Sequence, residues 1–165
     1  MIRALVPLLA LMLALAGCNQ GLTGIAAGVG GGDLRAPRAP LADRNNATFA
    51  FLPFAGVPGN VGDDLLRRIW QQSEREGLTV VRRPGGPALF TVEGHLTAVS
   101  DDTNSQVFFV FDVMDVSGTR LHRISGEQRS EDSEGDPWAN VRNRDLDLIA
   151  LRLAVLLAAW LDGDR

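Results

Sequence analysis

The chain has 165 residues, of which 45% are hydrophobic and 22% are charged, and its formal net charge at pH 7 is −4. This length and apolar content are typical of one globular domain with extensions rather than of a disordered or fibrous protein. The sixteen basic residues are all Arg and form no dense run, which excludes a broad electrostatic footprint for nucleic acid.

The amino-terminal segment, residues 1–17, predicts a secretion signal. A short basic start with Arg3 is followed by an apolar run that is too short to span a bilayer as a permanent helix. The run ends in LAGC at positions 15–18, which resembles the lipobox of bacterial lipoproteins. That resemblance implies cleavage after Gly17 and attachment of a diacylglycerol to the thiol of Cys18.

Cys18 is the only cysteine of the chain, and its acylation would anchor the protein to a membrane. Each buried methylene contributes about 0.8 kcal/mol, and two or more acyl chains give stable anchoring where one does not. The alternative is an ordinary secretory leader with a coincidental cysteine, which would leave a reactive thiol in an oxidising compartment. Asn19 stands where an Asp would resemble the inner-membrane retention signal of enteric lipoproteins. This favours an outer-membrane lipoprotein facing the periplasm, with the inner membrane as the alternative.

Residues 18–47 predict the lipidated cysteine followed by a flexible tether. The segment is rich in Gly, Ala and Pro, and it has no apolar period that could build a core. Coil scaling gives it an average reach of about 30 Å. Its cluster GVGGG does not fit a phosphate-binding loop, because no strand precedes it and no Gly-Lys-Ser/Thr follows it.

Residues 48–162 predict one globular domain. A first strand is predicted at 48–54, a helix beginning near Asp63 or Asp64, and a second strand at 78–81. Because a helix separates them, these two strands are expected to be parallel, with a right-handed crossover.

Three further strands are predicted to form a meander. ALFTVEGHLTAV at 88–99 alternates apolar and polar residues, which indicates a strand with one wet or polar face. Turns at 101–105 and 116–119 separate it from the strands that follow, QVFFVFDVMD at 106–115 and RLHRISGEQ at 120–128.

The last predicted element is a helix with Asp136 as its N-cap and Pro137 at its first position, ending near Leu161. Its broad apolar face contains Leu146, Ile149, Leu153, Leu157 and Trp160. The element order β-α-β-β-β-α predicts an α/β (α+β) fold, a two-layer sandwich in which a mixed sheet carries both helices on one face.

This order, with an FLPF-type first strand and a lipidated tether, resembles two groups of envelope domains over about residues 48–161. They are the amino-terminal domain of the Tol-system protein TolB and the lipoprotein activators of penicillin-binding proteins. The stretch FDVMDVSGTRLHRISGEQ, followed by DPW, is also similar to uncharacterised lipoproteins of alphaproteobacteria. The resemblance implies an envelope role, and it implies no active residues.

Few groups in the chain are suited to acid-base or nucleophilic catalysis. His95 and His122 both lie on predicted strands, where either could pair with Asp112 or Asp115, and Ser125 is the nearest candidate for a third member. No GxSxG motif occurs. Surface or packing histidines and cross-strand Arg–Asp pairs account for the same residues. We therefore predict no catalytic residues and no cofactor, and the alternative is a ligand carrier or hydrolase with a cleft near both histidines.

The acidic loop offers a weak metal-binding pattern. DSEGD at 132–136 spaces three carboxylates two apart, yet its glycine sits one position early for an EF-hand and Asn143 occupies the twelfth place. We predict no metal site and a solvated loop, with a weak calcium site here or at 101–105 as the alternative.

The strand at 106–115 is apolar on both faces. One set of side chains is predicted to meet the helices, namely Val107, Phe109, Phe111 and Val113. The other set, Phe108, Val110 and Met114, would then lie on the face of His95. Exposed apolar area of this kind commonly marks a binding surface. The alternatives are a covered face, under the tether, a loop or the end of the final helix, or ordinary central-strand hydrophobicity.

The predicted function is that of a non-enzymatic envelope lipoprotein. It would be held to the membrane through acyl chains on Cys18 and act as a binding or assembly module on a periplasmic or outer-membrane protein. The alternative use of the apolar face is self-association of the protein.

Overall fold

The computed structural model of the protein describes residues 46–83, 86–101, 104–131 and 135–163. The elements, in chain order, are β1 (Thr48–Phe51), α1 (Gly59–Arg75), β2 (Thr79–Val80), β3 (Phe90–Ser100), β4 (Ser105–Met114), β5 (Arg120–Ser130), a 3₁₀ turn (Pro137–Asn140) and α2 (Asn143–Leu161). The predicted signal peptide, the predicted acylation site Cys18 and the predicted tether as far as residue 45 lie outside the described residues.

The five strands form one mixed sheet in the order β2-β1-β3-β4-β5. Strand β1 is parallel to β2 on one side and to β3 on the other. Strands β3, β4 and β5 follow one another as an antiparallel meander. The predicted parallel pair and the predicted meander are both confirmed.

Both helices pack on the same face of the sheet, as predicted. Their buried side chains include Leu65 and Ile69 of α1 and Leu153 and Leu157 of α2. These contact one row of side chains from the sheet, which includes Phe49, Phe90, Val92, Leu96, Val107, Phe109, Phe111 and Val113. The result is a two-layer α/β domain with its core between the sheet and the helix pair.

Two glycines on the helix-facing side of the sheet make room for aromatic rings. A Cβ atom on Gly94 would stand 2.5 Å from a ring carbon of Phe54, and one on Gly126 would stand 2.6 Å from the ring of Phe109. Both distances are too short for any side chain. The glycines therefore complete the core pattern of β3 and β5 at positions where an apolar residue would be expected.

Helix α1 begins earlier than predicted, at Gly59 instead of near Asp63. Residues 59–62, GNVG, contain two glycines, and their low helix propensity predicts a loop. In the structure, Val57 and Val61 pack against the core, and the carbonyl of Pro58 accepts a hydrogen bond from the Gly62 amide at 2.9 Å. Tertiary packing thus extends the helix beyond its local signal.

The predicted N-cap Asp136 and the predicted first helical position Pro137 are observed, but they begin a 3₁₀ turn and not the final helix. Asp136 caps the 3₁₀ turn, where its carboxylate accepts a hydrogen bond from the Trp138 amide at 3.1 Å. The turn ends because Asn140 is buried, its amide donating to Ser105 Oγ at 3.0 Å. The chain is then extended at Val141, and α2 starts only at Asn143.

No helix among the described residues combines the length and the apolarity that crossing a membrane requires.

Candidate partner-binding face

The sheet face opposite the helices, here called the open face, carries the predicted binding residues. The β3–β4 register places His95 opposite Val110 and Thr97 opposite Phe108. Met114 lies on the same face, because side chains along a strand alternate with a period of two. The structure therefore brings Phe108, Val110, Met114 and His95 to one face, and no helix of the described residues covers it.

The exposed apolar area on this face is centred on Phe108, whose side chain is 43% exposed. Val110 and Met114 are only half-buried. Val99 is 45% exposed and lies diagonally across from Phe108, since its direct partner is Gln106. Val99 was missed at the sequence level, although the period that places His95 and Thr97 on this face also places Val99 there.

Asp112 divides the open face into two parts. Its two carboxylate oxygens accept hydrogen bonds from Nε and Nη2 of Arg123, each at 2.7 Å. Arg120 adds a third charge at 3.9 Å. Met114, at the far side of this charged cluster, is therefore separated from Val110 and Phe108. The candidate face consists of an apolar patch, Val99, Phe108 and Val110, with an ion-pair cluster at its edge.

The hydrogen bonds from Arg123 hold the pKa of Asp112 below its ordinary value of 3.8. Partial burial of the carboxyl acts in the opposite direction, and the charges of Arg123, Arg120 and His95 add to the lowering. A carboxyl with a lowered pKa in the folded state binds fewer protons than in the unfolded state. It therefore stabilises the fold above its ordinary pKa, and this stabilisation is lost as the pH falls through its folded-state pKa.

We expect the Asp112→Asn variant to be less stable than the wild type at pH 7, with a difference that shrinks as the pH falls below about 4. The free energy of unfolding, measured in urea at a series of pH values from 7 to 3, tests this. Arg123→Gln serves as the matched control, because it should remove the same part of the pH dependence. A difference that stays constant across the series would contradict the assignment.

The two histidines lie on opposite faces of the sheet. His122 pairs with the core residue Val113, and its ring stacks on Trp160 with centroids 5.4 Å apart and planes at 7°. Burial lowers the pKa of His122. His95 is exposed on the open face. A cleft shared by both histidines, which the alternative carrier or hydrolase requires, is therefore excluded by the geometry.

The other members of the imagined catalytic set are also apart. Ser125 and His95 flank Val110 on its two sides, so two strand spacings, about 10 Å, separate their backbones. Both oxygens of Asp112 are used by Arg123. The structure therefore does not assemble these side chains into a hydrogen-bonded triad.

Asp115, the remaining acidic candidate, organises a turn. Its Oδ1 accepts hydrogen bonds from the Ser117 amide at 2.8 Å, the Ser117 hydroxyl at 2.6 Å and the Thr119 amide at 2.9 Å. These bonds lower the pKa of Asp115. The carboxylate thus closes the hairpin between β4 and β5.

The metal-binding alternatives fall largely on residues that the structure does not describe, 102–103 and 132–134. Within the described parts of the chain, no group of three or more His, Cys, Asp or Glu side chains is placed to hold a metal ion.

No protein-family model matches the chain, and no curated protein matches it. Among solved structures, the chain is similar to the PelC dodecamer from Paraburkholderia phytofirmans, with 13% identity, a TM-score of 0.49, and coverage of 76% of this chain and 94% of that one. It is also similar to lipoprotein GNA1162 from Neisseria meningitidis, with 11% identity, a TM-score of 0.43, and coverage of 68% and 96%. Likenesses at this level assign no function to the chain.

Proposed function

We propose that the protein is a non-enzymatic lipoprotein of the bacterial envelope that binds a protein partner through its open face. The observation that carries the proposal is the exposed Phe108, with Val99 and Val110 beside it, on a sheet face that no described helix covers. A folded domain rarely leaves adjoining apolar side chains on one face in water without a use for them.

The proposed anchor limits where that partner is found. The lipobox-like LAGC motif would place acyl chains on Cys18 and hold the domain in the envelope, in the outer membrane and facing the periplasm. A tether from residue 19 to 47 has an average reach of about 30 Å. The partner is therefore a periplasmic or membrane protein close to the anchoring surface, with which the domain takes part in binding or assembly.

The chemistry of the open face sets what the partner must present. An apolar side chain would pack against Phe108 and Val99, because tight interfaces are built around desolvated apolar anchors. The ion-paired Asp112 and Arg123 would remain at the polar rim, where charges govern orientation more than affinity. This predicts a small interface of the transient kind.

We expect Phe108→Asp to reduce capture of the partner at least ten-fold, because the carboxylate would have to be desolvated at the centre of the interface. The test is crosslinking of the full chain in cells, isolation of the crosslinked species, and identification of its components by mass spectrometry. Val116→Asp is the matched control: Val116 is 82% exposed but lies in the turn outside the patch.

A single crosslinked protein that is lost with Phe108→Asp and kept with Val116→Asp would support the proposal. Equal recovery with both variants would overturn the assignment of the open face. In the same preparation, the intact mass of the wild type should include acyl chains that Cys18→Ser lacks, and this variant should leave the membrane fraction. A wild-type mass without lipid would contradict the proposed acylation and would mean that Cys18 is a free thiol.

A further inference from the structure

The two edge strands of the sheet differ greatly in length. Strand β2, at one edge, has two residues. Strand β5, at the other edge, has eleven, and its sequence RLHRISGEQRS contains no Pro. The unpaired backbone groups of a long edge strand are a template for a further strand, and native proteins protect such edges by short strands, by Pro or by charged groups. The β5 edge is therefore the one that needs protection.

The backbone groups of every second residue of β5 point out of this edge. The Leu96 amide of β3 donates to the Ala55 carbonyl at 2.9 Å, on the side of β3 away from β4. Phe109, which is opposite Leu96 on β4, therefore directs its backbone groups to β5, where its partner is Gly126. Gly126 faces β4 in turn, and its neighbours along the strand face away from it. The residues that point outward in this way are Ser125, Glu127 and Arg129.

Arg152 of α2 binds one of the outward carbonyls. Its Nη1 donates a hydrogen bond to the carbonyl oxygen of Glu127 at 3.0 Å. The guanidinium lies over the ring of Phe109, 5.9 Å from its centroid, and Nη1 is 3.0 Å from the place that a Cβ atom on Gly126 would take. The missing side chain at Gly126 thus gives Arg152 the room to lie against β5 and reach its edge.

The next outward carbonyl, that of Arg129, is bound by Gln128. Nε2 of Gln128 donates to this carbonyl at 2.9 Å and to Oδ1 of Asp145 in α2 at 3.3 Å. The other carboxylate oxygen of Asp145 accepts from the Arg142 amide at 3.0 Å, and Asp145 is buried. About two helix turns separate Asp145 from Arg152, so both lie on the flank of α2 above β5.

We propose that Arg152, together with the pair Gln128–Asp145, forms an edge clasp that closes β5 against the addition of a further strand. The clasp occupies two successive carbonyls that an added strand would have to pair with. It also places a guanidinium at the edge, whose charge an added strand would have to desolvate. Copies of the chain are thereby kept from joining their sheets edge to edge.

Arg152→Met tests the clasp in the full chain, solubilised in detergent. Methionine keeps an apolar side chain against Phe109 and Gly126 but removes the donor and the charge. We expect this variant to self-associate at least ten-fold more strongly than the wild type, as measured by sedimentation equilibrium. The matched control is Arg144→Met, which removes the same charge from an exposed position in the first turn of α2 and should associate like the wild type.

Amide hydrogen exchange identifies where the copies meet. In the wild type, the outward amides of Ser125 and Glu127 should exchange fast, because no strand of the described residues lies beyond β5. In associated Arg152→Met, the same amides should be protected at least ten-fold, because an added strand supplies acceptors for them. Association without this protection would overturn the proposal. So would association no stronger than that of Arg144→Met.

Two further variants separate the clasp from a general loss of stability. Arg152→Lys keeps a charge at the edge and should associate as little as the wild type. Association as strong as that of Arg152→Met would overturn the proposal, whatever the melting temperatures of the two variants. Gln128→Met should associate about three-fold more strongly than the wild type, because Arg152 remains in place, and an unchanged value would overturn the role of Gln128. None of these measurements depends on whether the open face binds a partner.

Discussion

Phe109→Ala is expected to lower the free energy of unfolding by about 3–5 kcal/mol, the range for truncating a buried aromatic ring. Phe109 is 1% exposed. Its ring lies 5.6 Å from that of Phe111, occupies the space left by Gly126, and is covered by the guanidinium of Arg152 at 5.9 Å. Neither a backbone glycine nor a hydrogen-bonded arginine can collapse into the cavity, so the cost should be near the upper end of the range.

The neighbouring Phe108 provides a matched control for this prediction. It is the same residue type on the same strand, but it points to the open face and is 43% exposed. Phe108→Ala should therefore cost less than about 1 kcal/mol. Urea unfolding of both variants measures the difference directly. Equal losses for the two would mean that the open face is packed as tightly as the core, which would contradict the two-layer arrangement.

Gly56→Ala is expected to cost roughly 2–4 kcal/mol, because it combines a strained backbone with a steric clash. Gly56 has a φ of 76°, and a Cβ atom there would stand 2.2 Å from the carbonyl oxygen of Leu96. The obstacle is backbone in a central strand. It cannot move without breaking the bonds of Ala55, whose amide donates to Gly94 and whose carbonyl accepts from the Leu96 amide, each at 2.9 Å.

Gly118→Ala separates the two contributions. Gly118 has nearly the same backbone angle, with a φ of 80°, but nothing lies within 4 Å of the added atom. Its replacement should therefore cost only the left-handed strain, about 1 kcal/mol. Comparison of the two midpoints in urea isolates the clash with Leu96. If both variants lost the same stability, the close approach of Gly56 to β3 would be wrong.

In a strongly apolar strand, the alternation of side chains predicts on which face of the sheet each residue lies. In β4 the alternation of Val107, Phe109 and Phe111 with Phe108 and Val110 predicts both faces, and the register confirms them. The same rule would have placed His122 on the helix-facing side of the sheet, because it is two residues from Ile124, which is buried. However, a single apolar residue in an otherwise polar strand is a weak indication of which face is buried.

Element boundaries were the least predictable feature, because they depend on distant partners. The start of α1 at Gly59 depends on packing of Val57 and Val61 against the core. The break before α2 depends on Asn140, which bonds to Ser105 far away in the sequence. Local helix propensity does not depend on either of these contacts, and in both places tertiary interactions outweigh it.

The sequence by itself determined the order of the elements, the parallel pairing of the first two strands and the two-sided apolar character of β4, because these follow from local periodicity and chain connectivity. Only the tertiary structure decided that His122 stacks on Trp160 of α2, and that Asp112 is bound by Arg123 and separates Met114 from Phe108. These features are set by strand register and by helix docking, which join residues that are distant along the chain.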